Sequence, residues 1–286
     1  MQPKWLIERD VFNEDLSSLI EEICRQGFEY TLLKCVNLEH KDGISDCKYA
    51  DNDCVIFYGS LNLAARLQKK KPWIPGPWCN FKNFYCSKYY TYFGEYLFNK
   101  DYIMLPMKEA IRRKHQLCRL LETDNFFIRP DKGSKSFTGC VVNREKLTLD
   151  ELGFGFYHED ENLLVVVSGA KDIEKEWRFV VAEKKVISGS SYKEIYCGEL
   201  EVSINEELLE WSGQNLDAKN FAEEIAKNKW EPDKLYTMDI CLSNNRFYLL
   251  EINSFSCSDL YNCDMKPIVE IASKLALSEW KEYNET

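Results

Sequence analysis

The chain has 286 residues, of which 45% are apolar, 29% charged and 14% aromatic, a composition that builds a core and excludes disorder as the main state. Forty-seven acidic against 37 basic side chains give a net charge of −10, a field that repels nucleic-acid backbones and anionic lipid. No run reaches the roughly 18 apolar residues of a membrane span, so neither nucleic acid nor membrane is an expected partner. Three histidines (His40, His115, His158) are too few for a His-built metal site, so any metal is expected on oxygen. The 12 cysteines include no CxxC pair and follow a polar N-terminus, MQPKWLIERD, without a signal peptide; they are expected to be reduced, in the cytoplasm.

In chain order, residues 14–26 (EDLSSLIEEICRQ) place Leu16, Leu19, Ile20 and Ile23 on one helical face, and the strand YTLLKCV should follow. CVIFYGS reads as a buried strand that enters the helix SLNLAARLQKKK through Gly59 and Ser60. Such a turn either admits a ligand or is simply tight. KKKPWIPGPWCNFKNFYC is expected to be irregular and packed by its rings, with no legible role over 72–93. YIMLP reads as a strand and MKEAIRRKHQLCRLLET as one helix. The alternation of strands and helices makes residues 1–105 an α/β domain, with a second domain over 106–286. Beyond residue 126 strands dominate, with helices expected near 205–211, 217–228 and 265–280, the last capped by Asp264 with Pro267 in its first turn.

Three segments carry candidate chemistry. FFIRPDKGSKSFTG (126–139) turns from an apolar strand into a loop with Arg129, Lys132, Gly133, Ser134 and Lys135. Small residues let backbone N–H groups approach an anion while the cationic side chains neutralise it. A solvated hairpin turn has the same composition. In EWRFVVA (176–182), period two puts Glu176 and Arg178 on one face and Trp177, Phe179 and Val181 on the other. The first face suits a charged ligand or, equally, a surface ion pair.

The third segment is the hairpin of LYTMDIC (235–241) and FYLLEINS (247–254). Glu251 and Asn253 leave one strand face, Leu250 and Ile252 the other. A three-residue loop of Asn244, Asn245 and Arg246 would set Asp239 opposite Glu251; a two-residue loop would set it opposite Leu250. Oxygen ligands crowded on one face select Mg2+ or Mn2+, completed by substrate phosphates.

The order of these motifs (FIRPDKGSKSFTG, LLVVVS, EWRFVV, then D...LEIN) resembles the ATP-grasp superfamily, and in detail a bacterial and bacteriophage clade of unassigned substrate. The likeness runs over about residues 105–280. It implies an α+β ATP-grasp domain of two subdomains with mainly antiparallel sheets, behind an N-terminal α/β domain, holding ATP and Mg2+. By the same resemblance Arg129, Lys132 and Lys135 contact the phosphates, Val166, Val167 and Ser168 form the adenine hinge, and Arg178 meets the γ-phosphate or an acyl phosphate. Asp239, Glu251 and Asn253 match the metal ligands, and Glu176 matches an acid of unassigned role beside the catalytic arginines.

The implied activity is ATP-dependent ligation, in which a small-molecule or peptide carboxylate is activated as an acyl phosphate and an amine displaces phosphate. A kinase-like phosphotransferase and a nucleotide-binding module without turnover are the alternatives.

Overall fold

The computed structural model describes all residues except 10, 13–15, 34–46, 134–136, 153–161, 193, 198–200, 205–210 and 286, with the backbone alone over 194–197 and 201–204. The chain divides into two compact units that are not successive in sequence. Unit one comprises Met1–Asn80, Glu176–Asp239 and Ile252–Thr286; unit two comprises Phe81–Lys175 and Ile240–Glu251. The boundary expected near residue 105 falls inside unit two.

Unit one opens with a strand hidden in the polar-looking N-terminus, β1 (Lys4–Glu8). It lies between β2 (Glu29–Leu33) and β3 (Cys54–Tyr58), with β4 (Ile74–Gly76) beyond, in a parallel sheet of order β2-β1-β3-β4. Consecutive residues Trp5, Leu6 and Ile7 are all fully buried, as a parallel strand covered on both faces requires. Cover comes from α1 (Ser17–Arg25), α2 (Leu61–Lys70) and the last helix, α7 (Met265–Glu285).

One apolar cluster joins Trp5, Ile7, Ile23 and Ile56 to Ile268, Val269, Ala272 and Ala276, so the ends of the chain share a core. The Trp5 indole donates to the Ser273 hydroxyl at 3.3 Å. Asp264 caps α7 as expected, its carboxylate accepting the Lys266 N–H at 2.9 Å.

The Gly59–Ser60 turn is tight rather than open. A Cβ at Gly59 would lie 2.6 Å from the Glu8 Cβ, and the Glu8 carboxylate accepts the Ser60 N–H at 2.8 Å. Ser60 in turn caps α2, accepting the Leu63 N–H at 3.2 Å.

The same unit holds the EWR strand, β9 (Lys175–Ala182), and its antiparallel partner β10 (Lys185–Tyr192). With β13 (Leu235–Ser243) and β14 (Arg246–Ser254) they form a sheet of order β10-β9-β13-β14; β13 and β14 each run on into unit two. A short hairpin, β11 (Glu194–Cys197) with β12 (Glu201–Ile204), and helix α6 (Gly213–Ala226) complete the segment. The helix expected at 205–211 lies almost wholly outside the described residues, and the one expected at 217–228 is α6.

Unit two is built on an antiparallel sheet of order β5-β8-β6-β7: β5 (Ile103–Pro106), β6 (Asn125–Pro130), β7 (Cys140–Asn143) and β8 (Leu164–Gly169). One face carries Phe126, Ile128, Val142, Val165 and Val167 into a core with Met107, Ala110 and Leu117. Those last three lie on α4 (Met107–Arg112) and α5 (Lys114–Leu121), so the single helix expected over 107–123 is interrupted at Arg113. The aromatic Pro-rich segment contains a helix, α3 (Cys86–Phe93), with Tyr89, Tyr90 and Phe93 buried.

Candidate active site

In unit one the period-two reading of β9 holds. Trp177 donates its indole N–H to Asn215 of α6 at 2.9 Å and Phe179 stacks on Trp211, which fixes that face as core. Arg178 leaves the other face and meets Asp239 of β13 in a two-pronged ion pair, Nε to Oδ1 at 2.8 Å and Nη2 to Oδ2 at 2.6 Å. Its Nη1 donates to the Asp259 carbonyl at 2.9 Å. Asp239 is 0% exposed and Arg178 6%, so this is a desolvated pair. Burial alone would pull the Arg178 pKa down; Asp239 more than reverses that, and the guanidinium stays charged.

Glu176 shares that face, and its carboxylate accepts the Tyr192 hydroxyl at 3.0 Å. Asn253 accepts the Thr237 hydroxyl through its backbone carbonyl at 3.4 Å.

The β13–β14 turn differs from the three-residue form. β13 ends at Ser243 and β14 starts at Arg246, and Asn244 and Asn245 both take positive φ, 50° and 57°. That is the two-residue type favoured by the twist of paired strands. The loop-length condition for bringing Asp239 opposite Glu251 is therefore not met; the contact that defines Asp239 is the one with Arg178. The core facing is also redistributed along β14. Ile252 is buried as expected, but Leu250 is half-buried while Leu249, its neighbour, is fully buried.

In unit two, register sets Met104 beside Val166, Val166 beside Arg129 and Ser168 beside Phe127. These five residues therefore share the sheet face opposite the core of that unit. Arg129 Nη1 pairs with Glu251 Oε2 at 2.9 Å, with side-chain exposures of 13% and 27%. Burial acts to lower the Arg129 pKa, but the net shift is upward, with the Glu251 carboxylate beside it among the causes, so the guanidinium stays charged.

Val166 and Val167 pair on both sides, to β5 and to β6, so their backbone groups belong to the ladders. Val167 points into the core. On the other face Val166 and Ser168 are both fully buried, and the Ser168 hydroxyl has no hydrogen-bond partner among the described residues.

The cationic loop after β6 contains a structural residue that its composition conceals. Asp131 is 5% exposed and accepts both the backbone N–H (2.6 Å) and the hydroxyl (2.9 Å) of Ser87, capping α3 from a distant point in sequence. Lys132 follows, exposed to solvent; Lys135 lies outside the described residues.

A family model for the ATP-grasp domain, the second family of its clade, matches residues 109–271, more than half of the chain. The chain belongs to this ATP-grasp family. No curated protein matches it in sequence. Its fold is that of ATP-grasp ligases over nearly the whole length. The D-cycloserine synthetase DcsG aligns with TM-score 0.63 at 12% identity, covering 96% of this chain and 99% of that one. D-alanine–D-alanine ligase from Bacillus anthracis, complexed with ATP, aligns with TM-score 0.58 at 17% identity and 99% of each chain. The ATP-grasp ligase PsnB, complexed with a phosphomimetic variant of its minimal precursor, Mg and ADP, aligns with TM-score 0.50 at 13% identity, covering 97% and 98%.

By donor type Asp239, Glu251 and Asn253, two carboxylates and an amide oxygen, suit a hard divalent cation; Asp239 is paired with Arg178 and Glu251 with Arg129. Among the described residues no three His, Cys, Asp or Glu side chains form a metal cluster. The expected set contains only two of those types, plus Asn253. Sequence reading had no signal for Tyr192, Tyr261 or the Asp131 cap, because each depends on a distant partner.

Proposed function

We propose that the chain is an ATP- and Mg2+-dependent ligase that joins a carboxylate to an amine. The observation that carries the reading is a correspondence: each of the two arginines expected at the phosphates, Arg178 and Arg129, is paired with one of the two carboxylates expected at the metal, Asp239 and Glu251. In this reading the arginine of each pair takes phosphate and the carboxylate takes the cation. Membership of the ATP-grasp family supports the same assignment.

Asp239, Glu251 and Asn253 would hold Mg2+, which when bound neutralises phosphate charge. Arg129, with Lys132 and Lys135 from the loop beyond it, would bind phosphate oxygens, and Arg178 would bind the phosphoryl group in transfer. Val166, Val167 and Ser168 of β8 would form the segment beside the base. A carboxylate resists displacement because its leaving group is oxide. Its attack on the γ-phosphate gives an acyl phosphate and ADP; an amine then attacks the acyl carbon, expelling phosphate and losing a proton. The arginines offset charge on the transferred phosphoryl, and most of the rate enhancement comes from positioning. No side-chain nucleophile is required. The cytoplasm, which supplies ATP and keeps thiols reduced, is the proposed compartment; no disulfide joins the ten cysteines whose side chains are described.

A screen of ADP release over amino acids and short peptides with Mg2+, read by mass spectrometry, tests this directly. A condensation product accompanied by ADP is the expected result. A phosphorylated product without condensation would replace the ligase with a kinase, and tight ATP binding with no ADP from any mixture would leave a binding module.

A further inference from the structure

The face of β9 that carries Arg178 holds two aromatic residues to which neither the motif nor the proposed reaction gives a part. Tyr192 and Tyr261 stack with centroids 4.5 Å apart and planes 19° from parallel. The Arg178 guanidinium carbon lies 4.7 Å from the Tyr261 ring centre and 5.7 Å from that of Tyr192, both within cation–π range. The arrangement is built by two local departures from regular structure.

The first departure is in β10. The β9–β10 turn is the two-residue Glu183–Lys184 form, both at positive φ, and pairs Lys185 with Ala182 and Val186 with Val181. Continued unchanged, that register would set Tyr192 opposite Lys175 and send its ring to the face that carries Trp177. A bulge at Ile187 shifts the pairing by one residue, so that Ser190 faces Arg178 and Tyr192 faces Glu176. Bulges re-aim side chains in this way next to functional sites. The second departure is Tyr261, a bulky residue held at φ 48°, a left-handed conformation that only surrounding contacts maintain. The Tyr192 hydroxyl is tied to Glu176 at 3.0 Å, and burial, with the Asp239 and Glu176 charges adding, keeps it protonated as the donor.

We infer that Tyr192 and Tyr261, with Glu176 fixing the first, are positioning residues that hold the Arg178 guanidinium in place when Asp239 exchanges it for a cation. In the ion pair Asp239 accepts two of the three hydrogen bonds described above for Arg178. Once that carboxylate turns to a metal, the two hydrogen bonds it accepts from the fork are lost. The tyrosine stack and the Asp259 carbonyl are among the contacts that stay, and as a bracket keep the fork aimed at the incoming phosphate. Glu176, whose role the motif left open, acts through Tyr192.

This rests on the proposed role of Arg178 at the polyphosphate, and the experiment separates the two. Binding of Mg–ATP and of AMP is measured by calorimetry for the parent, Arg178→Gln, Tyr261→Leu, Tyr261→Phe and Tyr192→Phe. Tyr261→Leu is expected to weaken Mg–ATP about tenfold and leave AMP, which lacks the outer phosphates, unchanged. Tyr261→Phe, which keeps the ring, should restore binding to within about twofold. Tyr192→Phe, which removes only the tether to Glu176, should fall between them. If Arg178→Gln, with its folded dichroism and AMP binding intact, weakens Mg–ATP but Tyr261→Leu does not, the bracket is wrong and the arginine assignment stands; should Arg178→Gln unfold, Arg178→Lys, which keeps a charge opposite Asp239, is read in its place. If Arg178→Gln changes nothing, the phosphate role fails and the bracket with it. Should Tyr261→Leu lose its folded near-ultraviolet dichroism, Tyr261→Met, unbranched and similar in volume, is read in its place by the same criteria.

Discussion

Two guanidinium–carboxylate pairs, one in each compact unit, use the same chemistry in opposite settings. Arg178 and Asp239 in unit one make a two-pronged contact between side chains 7% and 0% exposed, braced by a backbone carbonyl and two stacked tyrosines. Arg129 and Glu251 in unit two make a single contact between side chains 13% and 27% exposed. Removing one partner of a desolvated pair leaves a bare charge in the interior, whereas a partly solvated pair is readily replaced by water. The first pair is therefore as much a part of the fold as of the proposed site; the second is chiefly a part of the proposed site.

The largest effect that tests this contrast is Asp239→Ala. It should cost about 3–5 kcal/mol in urea denaturation by stranding Arg178. Glu251→Ala should cost under about 1 kcal/mol and still abolish Mg-dependent ADP formation. Equal losses of stability from the two substitutions would erase the distinction.

Asp233 provides the next test, as a half-buried carboxylate in unit one held by backbone N–H groups instead of a guanidinium. Burial pushes its pKa up to about 6, with Glu279 and Glu231 adding, against the Lys234 and Asn80 N–H groups that lower it. Between about pH 4 and 6 the folded chain keeps a proton that the unfolded chain has released, so this group's contribution to stability falls as pH rises through that window and is level above it. The displacement from the ordinary carboxylate value corresponds to roughly 3 kcal/mol. Asp233→Asn should flatten that part of the stability profile; an unaltered slope would mean that the group is not responsible.

Smaller still is Asp131→Ala. It uncaps α3, the helix that carries Tyr89 and Tyr90 beside Arg129, and should cost about 1–2 kcal/mol by thermal melting. No loss would show that Ser87 finds another acceptor.

Sequence reading reached the strands that bear the ion pairs because each has a clear period: apolar Trp177, Phe179 and Val181 alternate with Glu176 and Arg178. The hairpin of β13 and β14 was legible for the same reason, although its turn was not, since Asn at positive φ suits loops of either length. Strand β1 escaped notice because Trp5, Leu6 and Ile7 are a short run flanked by charge, and only neighbours on both sides make it central. The boundary at residue 105 marked where the motifs begin, but packing follows the apolar surface of α7, which returns to the N-terminal sheet. The bulge at Ile187 leaves no compositional trace at all, and with it the position of Tyr192 was out of reach.

The central claim is that a carboxylate is activated by phosphoryl transfer, and oxygen-isotope transfer reads that step. With substrates found by the ADP-release screen, the carboxylate is labelled with oxygen-18 and the released phosphate is analysed by mass spectrometry, with Glu251→Ala as the blank. One labelled oxygen in each phosphate released is the predicted result, because the acyl phosphate breaks at its acyl–oxygen bond. Unlabelled phosphate formed alongside the condensation product would contradict it.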